Sequence, residues 1–155
     1  MRWGVLAISC VTGLGCCPGG EGSLDAVLDE PFHREGMVDA ANLMLQRDGV
    51  LRWRIFGCDF DSRGQAAWIR EGERAVVEPA PGETLDWIGD FGGLSEVIRM
   101  TLTPLGTGEA LAVHLTFAGD EPSVTQVWIR GGVCAVCGGG LGPTGQEPCD
   151  DPFGE

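Results

Sequence analysis

Val50-Leu51-Arg52-Trp53-Arg54-Ile55-Phe56 and Leu111-Ala112-Val113-His114-Leu115-Thr116-Phe117 decide how this chain folds. Both alternate apolar with polar residues at a period of two, the pattern of a half-buried β-strand rather than of a helix. Leu51, Trp53 and Ile55 take one face and Arg52 and Arg54 the other; Leu111, Val113, Leu115 and Phe117 oppose Ala112, His114 and Thr116. Similar runs lie around them. Ala67 and Ile69 alternate with Ala66, Trp68 and Arg70, Ala75 and Val77 with Arg74, Val76 and Glu78, and Leu85 and Trp87 with Thr84 and Asp86. Ile98, Met100 and Leu102 alternate with Arg99, Thr101 and Thr103, and Val127 and Ile129 with Gln126, Trp128 and Arg130. In each case the set named first is the expected core face. Turn-forming stretches such as Asp61-Ser62-Arg63-Gly64, Glu71-Gly72-Glu73 and residues 104–108 separate the runs. A further strand at Asn42–Gln46, joined by Arg47-Asp48-Gly49, brings the total to about eight, the number at which side chains fill a barrel interior. The expectation is an all-β antiparallel meander, an up-and-down barrel over residues 42–132, with a Cys/Gly-rich cap over 133–155.

Towards the start, Met1-Arg2 precedes an apolar run from Trp3 to Leu14, too short to span a bilayer and suited to a secretory signal. The ending, Leu14-Gly15-Cys16-Cys17, resembles the lipobox of bacterial lipoproteins. Cys17 has Leu14 three places before it and Cys16 has Gly15 directly before it, so either register is open. The resemblance implies a signal peptide over 1–17, a lipidated Cys17 or Cys16, and a membrane partner reached through that anchor. The location implied is the cell envelope, as an outer-membrane lipoprotein; a plain cleaved signal, giving a secreted or periplasmic soluble protein, is the alternative. Residues 18–41 read as a tether and entry segment packed on the barrel, in which Leu24–Pro31 is an edge strand or a helical turn and His33 a solvated loop residue.

Composition narrows the function classes. About 138 residues after the signal make one domain with a real core. A net charge of −13 leaves no basic face for nucleic acid. The absence of lysine removes Schiff-base and Walker-type lysine chemistry. Asp59 to Gly64 places Gly64 as a calcium loop would, but Arg63 and Arg70 stand where ligands are needed, so a hairpin turn is expected. The glycines of 138–145 lack the Lys-Ser/Thr of a phosphate loop and a following helix. Only two histidines exist and no Ser sits in a Gly-x-Ser-x-Gly elbow. No catalytic residue, cofactor or metal is expected.

Cys134-Ala135-Val136-Cys137 is the sharpest motif. An exported chain favours disulfides there, while zinc binding or thiol activity through Cys134 and Cys137 is the alternative. Meander parity ends the second and eighth strands at the same rim, which brings Cys58 towards Cys134 and Cys137. Those two lie too close in sequence for an easy mutual bridge. One is therefore expected to pair with Cys58 and the other with Cys149.

The segment Trp53 to Gly64, a strand into the Gly57-Cys58-Asp59 turn and back, resembles lipocalin-like small-barrel lipoproteins and, more distantly, the Gly-Cys-Asn turn of META-domain lipoproteins, with Asp59 in place of the Asn. The resemblance implies the barrel and no residue roles. The expected function is a non-enzymatic binding or interaction module. Its candidate surface is the barrel mouth or an outward patch of Trp68, Arg70, Trp128 and Arg130 stacked by cation–π contacts.

Overall fold

Residues 50–56 do form a strand whose exposure alternates, and the rest of the chain is built beside it by the same rule. The computed structural model describes residues 20–34, 39–88, 94–138 and 143–154. The expected signal segment, with Cys16 and Cys17, lies outside the described residues. A 3₁₀ turn, Leu24–Ala26, leads into β1 (Pro31–Arg34), β2 (Ala40–Leu45), β3 (Val50–Phe56), β4 (Asp61–Ala67), β5 (Ile69–Glu71) and β6 (Arg74–Val77). There follow β7 (Leu85–Ile88), β8 (Leu94–Leu105), β9 (Ala110–Phe117), β10 (Val124–Arg130), β11 (Val133–Cys137) and β12 (Pro143–Pro148).

The main sheet runs β4-β3-β2-β1-β10-β9-β8-β6-β5, every pair antiparallel, with β7 also on β8. The row ends in β4 and β5, which only Trp68 separates in sequence. One bent ribbon thus serves β3 with its first half and β6 with its second, and the sheet comes round to a nearly closed barrel. Closure removes the open edges that would otherwise template aggregation. At the bend the Trp68 amide donates to Gly49 O at 2.8 Å and its indole N–H to Gln46 O at 3.1 Å.

The expected inward faces of β3 and β9 are buried: Leu51, Ile55, Leu111, Val113 and Leu115 are nearly inaccessible, while His114 is exposed. Leu24 and Val27 join the same core from the entry turn. Three indoles run through the interior, Trp53 to Trp87 at 5.6 Å between centroids and Trp87 to Trp128 at 6.1 Å. Rings of this size each bury about 150–250 Å² and fill the middle of the barrel with side chains.

Four local expectations are corrected. Asp61-Ser62-Arg63-Gly64 is strand, not turn; the reversal lies at 57–60, where the Gly57 amide donates to Phe60 O. The phase at 66–69 is opposite to that expected, since Ala66 packs on the core and Ile69 is exposed. In β8, Val97 and Met100 point inward and Ile98 outward, because a bulge between Val97 and Arg99 adds a residue and shifts the alternation. In β10 the expected inward Val127 is exposed and Trp128 is buried, as its pairing with inward Leu111 requires. The entry segment also supplies β1, which stands between β2 and β10 and joins the two meanders.

The cap is a β11–β12 hairpin lying on the outer face of β2. Asn42 is fully buried beneath it, and its side-chain amide donates to Val133 O at 2.9 Å while its carbonyl oxygen accepts from Val133 N at 2.8 Å. Cys58–Cys137 and Cys134–Cys149 are disulfides, a pairing within the expected scheme. The expected parity is corrected: three antiparallel steps separate β3 from β10, so they run in opposite directions, and it is β11, turning back over β2, that carries Cys137 to Cys58. Among the described residues no helix is long and apolar enough to cross a membrane.

Candidate functional site

The patch expected on the surface is not one site. Trp128 belongs to the core, and Trp68 is half-buried against it at the β4–β5 bend. Arg70 pairs with Asp25 at 2.8 Å. Arg130 donates through Nε to Gly108 O at 2.9 Å and through its guanidinium to Ala26 O. Arg70 and Arg130 therefore grip the 3₁₀ turn from two sides, and their role is to hold the entry segment in the barrel.

A different cluster comes together on the outer face of β3 and β4. Their register sets Arg54 opposite Arg63, Arg52 opposite Gln65 and Phe56 opposite Asp61. Like charges facing each other across a ladder repel, and Asp61 relieves this pair. Its carboxylate accepts from Arg54 Nε at 2.9 Å and Nη2 at 3.0 Å, and from Arg63 Nη2 at 2.8 Å. These hydrogen bonds, Arg54's first and Arg63's second, hold the Asp61 carboxyl well below its ordinary value, and Asp61 in turn raises the Arg63 guanidinium. The Arg54 guanidinium carbon lies 3.9 Å from the centre of the Phe56 ring, and only 14% of its side chain is exposed.

The C-terminal tail walls this cluster. Cys149 N donates to Gly132 O, Pro152 packs on Gly132, and Gly154 N donates to Asp151 Oδ1 at 2.7 Å, turning the tail across β3. Phe153 is buried, with the Arg52 guanidinium 5.6 Å from its ring centre, and Gly154 O accepts from Arg63 Nη1 at 3.4 Å. Between tail and hairpin remains a cleft of about 290 Å³, lined by Arg52, Arg54, Arg63, Gln65 and Phe153, with Trp53 and Gly64 at its floor. The Trp53 indole closes on Gly64: a Cβ there would collide with the ring.

This cleft escaped the sequence reading because Arg52 and Arg54 registered only as outward positions and Asp61 to Gly64 as a turn. The available signal was the repeated arginine at outward positions, 52 and 54, in a chain with only 10 basic residues. A second hollow of about 410 Å³ is lined by Asp86, Ser95, Glu96, Ala118 and Glu121. Among the described residues no His, Cys, Asp or Glu cluster is placed to hold a metal ion. Compared with protein-family models, curated proteins and solved structures, the chain matches none.

Proposed function

We propose that this protein is an exported, lipid-anchored binding module of the cell envelope, with its recognition surface on the outside of the barrel. The observation that carries the reading is the pair of disulfides, Cys58–Cys137 and Cys134–Cys149, which tie the tail to the barrel. Such bonds persist in an oxidising compartment outside the cytoplasm, and the pair is consistent with one. The Leu14-Gly15-Cys16-Cys17 resemblance supplies the anchor. The meeting of three indoles inside the barrel supports an outer recognition surface over a carrier's central cavity.

The test is fractionation of the native chain beside a variant with Cys16→Ser and Cys17→Ser together. The native protein is expected with membranes and the variant in the soluble fraction. Mass spectrometry of the natural N-terminus should find an acylated cysteine; an unmodified residue there would remove the anchor from the proposal. Each buried CH₂ of an acyl chain contributes about 0.8 kcal/mol, so a multiply acylated cysteine suffices to hold the domain.

A further inference from the structure

We propose that the cleft between β3, β4 and the tail binds a small organic carboxylate. This deepens the binding-module reading and rests on it. The site is assembled from two distant parts of the chain: the β3–β4 hairpin, with Arg52, Arg54, Arg63 and Gln65, and Phe153 on the tail that the disulfides hold in place. Its chemistry is already displayed by Asp61. Both arginine forks close on that one carboxylate, Arg54 through Nε and Nη2 and Arg63 through Nε and Nη2. Planar guanidinium groups recognise carboxylates through such paired N–H donors.

The donors are positioned in advance. Arg54 is stacked on Phe56 and mostly shielded from solvent, so a ligand does not have to order it. The tail crosses this point with a glycine. A Cβ on Gly154 would lie 2.6 Å from Arg54 Nη1 and 3.0 Å from Arg63 Nη2, and the backbone there has φ of 67°. Any side chain at 154 would crowd the arginines. Phe153 adds an apolar wall and Gln65 an amide, and a volume near 290 Å³ suits a molecule of a few carbons. Because the whole chain carries −13, long-range attraction does not bring an anion here; recognition depends on short-range paired hydrogen bonds.

Asp61 is then an internal competitor for the same forks, and this gives the inference a signed test. Succinate is titrated into the disulfide-intact protein by calorimetry, with succinamide as the neutral control and inorganic phosphate as a second anion. Saturable binding of succinate is expected, with none for succinamide and weaker binding for phosphate. Asp61→Asn is expected to tighten succinate about tenfold by releasing both forks, and Arg63→Gln to weaken it by about tenfold or more. A purely structural role for these residues does not produce opposite changes in two variants that both remain folded by circular dichroism. Equal affinities in the native protein and Arg63→Gln, no binding even by Asp61→Asn, or tighter binding of phosphate than of succinate would overturn the proposal. Succinate bound by a chain found without an acyl group supports the cleft and removes only the anchor.

Discussion

Among the described residues Asn42 is the one buried polar side chain, it lies on the barrel's outer face, and both of its amide bonds go to the backbone of Val133. Asn42→Leu is expected to leave a buried N–H and a buried C=O without partners, each costing about 1–3 kcal/mol. Hydrogen exchange at Val133 should rise in parallel; unchanged protection there would mean the hairpin is held by other contacts. Trp53→Ala should cost about 3–5 kcal/mol in denaturant unfolding, since the indole meets Trp87 on one side and covers Gly64 on the other. Arg54→Ala, on the opposite face of the same strand, is not the neutral change that outward orientation alone suggests, because Arg54 holds Asp61. Arg54 is shielded but Asp61 lies partly open to water, which screens the pair, so its worth is about 0.2–1 kcal/mol. Asp61 also fixes a pH dependence. Its folded carboxyl titrates below its ordinary value of 3.8, so the unfolded chain takes up the proton first as pH falls. The Asp61 contribution to stability is thus full above that value and is lost as pH drops through the lower, folded one. An NMR titration should find the Asp61 carboxyl still ionised as the pH falls through its ordinary value of 3.8.

Strand β10 shows what an element's sequence can and cannot declare. Val127-Trp128-Ile129 is apolar at three consecutive positions, so period two fits equally well in either phase. The neighbour decides: β9 places Leu111, Val113 and Leu115 inward, and their cross-strand partners are Trp128, Gln126 and Val124. Trp128→Ala should therefore cost about 3–5 kcal/mol, and Val127→Ser less than about 0.5. The reverse order in chemical denaturation would restore the phase first read from the sequence. Where polar residues flank each apolar one, as in β3 and β9, the face was legible without any neighbour. In β8 it was legible only from Met100 onward, because the bulge before it carries no sequence mark. The cleft was hidden for a related reason. Arg52, Arg54 and Arg63 are individually ordinary outward residues, and only the β3–β4 register and the path of Phe153 make them a cluster. The cysteine pairing came out as expected although β3 and β10 run in opposite directions, because β11 turns back over β2 towards the Cys58 end, a return that the alternation of strands does not declare.

At the scale of the whole molecule, the two disulfides close loops of very different length. Cys58 and Cys137 are 79 residues apart, Cys134 and Cys149 only 15. In the chain-entropy account a crosslink restricts the unfolded chain more as its loop lengthens, by 1.5RT per unit of ln n. The longer bridge should exceed the shorter by about 1.5 kcal/mol, each within the range of about 2–5 kcal/mol for small exported domains. The folded state adds to the same ordering. Cys58–Cys137 joins the end of β3 to the end of β11 and so ties the cap to the barrel, whereas Cys134–Cys149 lies within the cap and its exit. Replacing Cys58 and Cys137 with Ala should therefore lower denaturant stability more than replacing Cys134 and Cys149. It should also loosen the tail from Arg52 and Arg63, raising proteolysis near Phe153 while β9 stays protected. Equal losses from the two double variants, or a free Cys58 thiol in a non-reducing peptide map of the native protein, would show that the cap is not latched to the barrel by this bond.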